Sequence, residues 1–210
     1  MPTKFDKREY RKIDVSVMET RKAEDGAMIV EGYAATFNQP YQLYSYSDFT
    51  VNEQIDRHAF DDTDMSDVIM QYDHEGRVFA RISNGTLELS VDDHGLKIRA
   101  RLDGTEIGRQ LFEEIQGGYT SKMSFGFTVG EQKREETEDM ENGHTTVLRT
   151  ITKITKLYDV SAVSLPANDA TEISARNTGD GLIAEVKQEL LAIQARKRKQ
   201  NQIAIMAESI

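Results

Sequence analysis

Apolar and polar positions alternate most regularly in Thr120-Ser121-Lys122-Met123-Ser124-Phe125-Gly126-Phe127-Thr128-Val129. Met123, Phe125, Phe127 and Val129 form one row; Thr120, Lys122, Ser124, Gly126 and Thr128 form the other. A period of two with one apolar row is the signature of a strand with one buried face. Burial of that row fixes the register and turns Ser124 outward, with Gly126 leaving open space two residues on. Ser121 falls on the core-facing row, so Ser124 is the serine this strand presents.

The same alternation predicts further strands. Ile13, Val15 and Val17 alternate with polar residues, and a second run over 28–37 follows the turn Glu24-Asp25-Gly26; together they predict a hairpin. Residues 38–47, with Pro40 and three tyrosines, read as a surface loop, and 49–60 as a short strand or a helical turn. Val68-Ile69-Met70-Gln71-Tyr72 reads as a buried strand ending in the polar loop Asp73-His74-Glu75-Gly76. Strands follow over 78–82, 86–91 and 96–102, punctuated by Asn84-Gly85 and Asp92-Asp93-His94-Gly95. Ile107, Leu111 and Ile115 are spaced by four, which predicts a helix over about 105–116 stopped by Gly117-Gly118.

Residues 131–143 are strongly acidic and read as a solvated loop or the tip of a long hairpin. Residues 145–165 return as strand and stop at Pro166-Ala167-Asn168. Beyond Asn177-Thr178-Gly179-Asp180-Gly181, Leu182, Val186, Leu190 and Ile193 line one face of a helix running into Arg196-Lys197-Arg198-Lys199, a basic end that complements the helix dipole. Many short strands, one good internal helix and regular turns predict a mainly β (α+β) protein built on a closed β-barrel with a few helices and a C-terminal helical tail. Residues 1–9 are expected to be a flexible N-terminus, 10–176 the barrel domain, and 177–210 a linker and amphipathic helix.

The chain has 210 residues, enough for one good core plus appendages. A net charge of −10 excludes nucleic acid as a main partner, because phosphate binding needs a basic footprint. Cysteine is absent, which removes disulfides, thiolate zinc sites and cysteine nucleophiles and suits a reducing compartment. No apolar run approaches the ~20 residues of a membrane span, and the basic, polar N-terminus lacks a signal-peptide core. The expected location is inside a cell, away from membranes.

Three of the histidines, His58, His94 and His144, read as solvated or structural. No pair has the helical spacing of a metal site, so neither a metal nor another cofactor is expected. His74 differs, because a strand exit can position a ring without burying it. Its neighbours Asp73 and Glu75 favour its protonated form unless the fold turns them away. Asp159 lies inside the apolar stretch Tyr158-Asp159-Val160-Ser161-Ala162-Val163-Ser164-Leu165, where a carboxylate needs a partner. Either a histidine that it orients or an arginine or lysine satisfies that need. The Ser124 segment lacks the first glycine of a nucleophile elbow, and its strand runs straight through the serine. The order His74, Ser124, Asp159 also departs from the common hydrolase orders, although such triads are defined by geometry.

Three segments together resemble the prohead maturation proteases of tailed phages. They are Tyr72-Asp73-His74-Glu75-Gly76, Met123-Ser124-Phe125-Gly126-Phe127 and Asp159-Val160-Ser161-Ala162-Val163-Ser164-Leu165-Pro166-Ala167-Asn168. Glu31-Gly32-Tyr33-Ala34-Ala35-Thr36-Phe37 is similar to that family's opening strand, and the resemblance covers about residues 10–176. The family is similar in fold to the herpesvirus assembly protease, a β-barrel with surrounding helices. The resemblance implies a serine endopeptidase with Ser124 as nucleophile, His74 as general base and Asp159 as the third member. The herpesvirus relatives have a second histidine at that third place and an arginine-containing loop for the oxyanion; here Pro166-Ala167-Asn168-Asp169 follows instead.

The implied substrates are the major capsid protein with its scaffolding segment, and the protease itself, inside the assembling prohead in the host cytoplasm. Self-association is left open. Two other classes stay in view: a non-enzymatic prohead scaffold or core component using the same barrel for binding, and an acidic decoy for basic proteins through residues 131–143.

Overall fold

The computed structural model describes residues 8–13, 18–45, 49–139 and 143–164, together with Gln188, Ala192, Ala195, Arg196 and Lys199. Two compact units divide the chain, Met1–Ile173 and Ser174–Ile210. In the second unit those five positions are helical and exposed. The expected linker, the apolar face through Leu182 and Ile193, the Pro166-Ala167-Asn168-Asp169 segment and residues 1–7 lie outside the described residues.

In chain order the first unit contains β1 (Glu9–Ile13), β2 (Glu19–Lys22), β3 (Met28–Thr36), β4 (Tyr41–Ser45), β5 (Phe49–Ile55), β6 (Ile69–Tyr72), β7 (Glu75–Arg81), β8 (Leu87–Val91), β9 (Gly95–Arg101), α1 (Glu106–Gln116), β10 (Lys122–Glu138) and β11 (Thr145–Val163). The predicted first hairpin forms, but from β2 and β3; β1 pairs instead with β10. Val15 and Val17 are not among the described residues. The stretch read as a loop over 38–47 holds β4, an edge strand paired with β5, and the ambiguous 49–60 begins with β5. The acidic segment is largely strand: β10 continues through Glu138 against β11 as a long hairpin.

Two sheets result. One has seven strands along the path β1-β10-β11-β5-β4, with β6 and β7 attached at β11; the other runs β2-β3-β9-β8. β11 is long enough to pair parallel with β5 through its first half and with β6 through its second. One apolar core joins the sheets, with Val30, Ala34 and Ile98 from the smaller, Phe125, Phe127 and Leu157 from the larger, and Leu111 and Phe112 from α1. That helix is capped by Thr105, whose hydroxyl accepts from Gly108 N–H at 3.0 Å, and it ends at Gly117 as predicted.

The closed barrel expected from the strand pattern is not formed. Among the described residues no ladder runs from one sheet into the other. They meet at a single bridge, Phe37 to Ile55, after which Asn38 turns the chain with φ 52°. The body is mainly β, as expected, and α1 and a short 3-10 turn over Ile82–Asn84 are the helical elements described in this unit.

Candidate active site

Four neighbouring strands, β1, β10, β11 and β6, build the site. Ser124 is the third residue of β10, opposite Lys12 of β1 and Ser161 of β11. Two residues on, Gly126 faces Asp159, and there the ladder shifts register so that Phe127 pairs with Leu157. A bulge of this kind re-aims side chains locally.

β6 brings His74 to the same face. Tyr72 pairs with Glu75 across a two-residue turn whose members, Asp73 and His74, have φ 50° and 61°. Both residues are in the left-handed region that a tight hairpin of this hand requires, and Asp and His tolerate it better than most. Asp73 is anchored away from the imidazole: Ser164 donates to its carboxylate through N–H at 3.0 Å and through its hydroxyl at 2.7 Å. The fold thereby removes one of the two acids that threatened the ring.

The three sequence-predicted residues meet. Nδ1 of His74 is hydrogen-bonded to Oδ1 of Asp159, and Nε2 lies 2.5 Å from Oγ of Ser124. Ser161 donates its hydroxyl to the same Asp159 oxygen at 3.0 Å. Arg8 places Nη2 at 3.0 Å from the other oxygen, an ion pair without an aligned hydrogen bond. Asp159 thus has both kinds of partner that the sequence allowed.

Burial differs from expectation. Ser124 and Asp159 are fully buried and the His74 side chain is 3% exposed, so Ser124 does not face solvent, although Lys122 and Thr128 on the same row are half-buried. β1 covers the serine. The Tyr10 ring packs on His74 with centroids 4.3 Å apart, and the Ser124 hydroxyl is 2.7 Å from the carbonyl oxygen of Arg11. The space beside Gly126 is likewise occupied, by Asp159 and Tyr10. Ser121, expected on the buried row, is exposed just before the strand begins. A nearby cleft between the β6–β7 turn and α1, lined by Tyr72, Asp73, Glu75, Arg77, Ile107 and Glu114, includes none of the three.

On the opposite face of β1 a buried ionic cluster replaces apolar packing. Arg11 pairs with Glu53 and Glu9, and Arg149 lies 2.8 Å from Glu53 and 3.1 Å from Glu9. Tyr41 donates to Glu53 at 2.5 Å, and Gln132 accepts from Arg149. Burial disfavours the charge on Glu9, but the Arg11 and Arg149 guanidiniums outweigh it and hold the carboxyl below its ordinary value. Arg11, also opposed by burial, is raised well above its ordinary value by Glu53 and Glu9. Sequence reasoning missed this cluster, yet it left a signal. Glu53 lies on the inward row of β5 with Phe49, Val51 and Ile55, and Arg149 on the inward row of β11 with Val147 and Ile151.

Among the described residues no group of three or more His, Asp and Glu side chains is placed to hold a metal ion, and no helix is long and apolar enough to cross a membrane. A hydroxyl, an imidazole and a buried carboxylate joined in series make up the constellation of a serine hydrolase. Residues 15–183 match the family described as caudovirus prohead serine protease, a span that includes all three side chains, and the chain belongs to that family. The bacteriophage T4 capsid assembly protease gp21 is a structural neighbour with a TM-score of 0.42 and 11% identity, over 77% of this chain and 100% of that one. No curated protein matches.

Proposed function

We propose that this chain is the head-maturation endopeptidase of a tailed phage, with Ser124 as nucleophile, His74 as general base and Asp159 as the residue that orients His74. The observation that carries the reading is the continuous series Asp159–His74–Ser124 in a member of a serine protease family. With Nδ1–H donated to Asp159, Nε2 is the nitrogen free to accept a proton. It takes that proton as Ser124 Oγ attacks a peptide carbonyl, then gives it to the leaving amine; water resolves the acyl-enzyme with His74 acting again as base. General-base help of this kind contributes about 10²–10⁴-fold.

The family name suggests the substrate: the major capsid protein with its scaffolding portion, cleaved inside the prohead, followed by the protease itself. Residues 177–210 are proposed to retain the protease in the assembling head. Unchanged incorporation after removal of 180–210 would end that assignment.

The test is cleavage of purified capsid precursor by the wild-type chain and by Ser124→Ala, followed by intact mass. Loss of both substrate cleavage and self-cleavage in Ser124→Ala is expected; unchanged proteolysis would remove Ser124 as nucleophile. The non-enzymatic reading has one observation in its favour, the complete burial of Ser124. It predicts that the wild-type chain leaves the precursor intact under every condition.

A further inference from the structure

Strand β1 and Arg8 just before it touch all three members of the site at once. Tyr10 lies on the His74 ring, Arg8 pairs with Asp159, and the Arg11 carbonyl takes the Ser124 hydroxyl. The last contact has a chemical consequence. Ser124 has one hydroxyl proton, and while Arg11 holds it, it cannot be delivered to Nε2 of His74. The docked strand therefore competes with His74 for the proton that the nucleophile must give up.

β1 also occupies a distinctive place in the sheet. It is the terminal strand of the path and its ladder partner is β10, the strand that bears Ser124. Without β1, the nucleophile strand would present a free edge, and a free edge is where an extended peptide adds by main-chain pairing. In the closed state β1 therefore sets one of its own carbonyls against Ser124, as an added peptide strand would.

Its grip comes from the opposite face. The body of the protein supplies one buried acid and one buried base, Glu53 and Arg149; β1 supplies the complementary base and acid, Arg11 and Glu9, two residues apart on one row. Arg11 further lies 5.4 Å over the Phe127 ring. Both charges on β1 are matched, and reversing either would bury like charges together.

We propose that β1 is an internal substrate mimic: it closes the site in cis, and the Glu53–Arg149 pair that grips it is the subsite that reads an incoming strand carrying an acid and a base two residues apart, acid first. This rests on the reading of Ser124 as nucleophile. Substrate enters by displacing β1, so reactivity scales with the fraction of molecules in which β1 is undocked.

The experiment measures acylation of Ser124 by diisopropyl fluorophosphate in the full-length chain, by intact mass and peptide mapping. Arg11→Glu should react about tenfold faster or more, since the competent fraction rises towards one. Reversing all four charges together (Glu9→Arg, Arg11→Glu, Glu53→Arg, Arg149→Glu) restores every pair in the opposite sense and should return the rate to that of wild type. Equal rates in wild type and folded Arg11→Glu would overturn the mimic while leaving Ser124 reactive. Failure of both folded proteins to react would overturn the nucleophile reading and the mimic with it.

If Arg11→Glu does not fold, amide exchange of the wild-type chain decides. A peptide with the sequence of residues 8–13, added in excess, should speed exchange at residues 9–13. The same peptide with its Glu and Arg exchanged should not; equal effects of the two peptides, or none from either, would overturn the proposal.

Discussion

A Cβ built on Gly126 lies 2.3 Å from Oδ2 of Asp159, so the absence of a side chain at 126 is what admits the carboxylate to the site. The two residues face each other across the β10–β11 ladder, and Tyr10 lies 2.8 Å from the same imagined atom. Gly126→Ala should therefore displace Asp159 and with it the ring of His74. A misplacement near 1 Å in such a constellation costs about 10²-fold in rate. The check is kcat/KM on a peptide substrate beside the thermal midpoint; loss of activity matched by loss of folded protein would deny a positioning role.

Asp159→Asn leaves shape nearly unchanged but replaces an acceptor with a group that can offer N–H to Nδ1. The His74 tautomer then inverts, and kcat should fall by about 10⁴-fold, as expected when an orienting carboxylate is lost in this way. Ser161→Ala removes one hydrogen bond to the same carboxylate. It should cost about tenfold, the equivalent of one charge-assisted bond. Steady-state kinetics of the two variants would separate tautomer control from orientation, and equal effects would contradict this account.

The ionic cluster predicts a stability asymmetry. Arg149→Ala leaves Glu9 and Glu53 buried with Arg11 alone, and breaking a buried pair from one side costs about 3–5 kcal/mol. Replacing Glu9, Arg11, Glu53 and Arg149 together by apolar residues of similar volume should be close to neutral or stabilising. Urea midpoints of the two variants test this. A mild effect of Arg149→Ala would mean that water reaches the cluster.

The pH dependence of β1 docking follows from Glu9. Its carboxyl is held below the ordinary value of 4.5 when docked, so docking binds fewer protons than release. Stability from this group is complete above pH 4.5 and is lost as pH falls through the lower, docked value. Amide exchange at residues 9–13 should accelerate on acidification below that point, and Glu9→Gln should remove this dependence. Exchange that slows towards acid after correction for intrinsic rates would reverse the assigned sign.

Strands with one dry face were legible because alternation records that asymmetry directly, as in Met123, Phe125, Phe127 and Val129. β1 was not, because both of its rows carry polar side chains: Glu9 and Arg11 are buried by mutual charge pairing, which no hydropathy pattern marks. β4 was hidden for a related reason, since an edge strand of Tyr41, Gln42, Leu43, Tyr44 and Ser45 has a single aliphatic residue and too short a row to read. Closure of a barrel depends on whether remote edges pair, and the single Phe37–Ile55 bridge has no local correlate. Of the site, the residue types and their segments were visible. The covering of Ser124 was not, because it comes from a strand more than a hundred residues away.

Ser124 and Asp159 belong to one contiguous hairpin, whereas His74 reaches them through the parallel pairing of β6 with β11, 85 residues apart in sequence at the His74–Asp159 contact. Hairpin pairing needs only local loop closure, and long-range parallel pairing forms more slowly. Ser124 and Asp159 are therefore expected to come into register before His74 joins them during refolding, and on the proposed roles the serine then has no base beside it. Protection of the Met70 and Gln71 amides should then lag behind that of β10 during refolding.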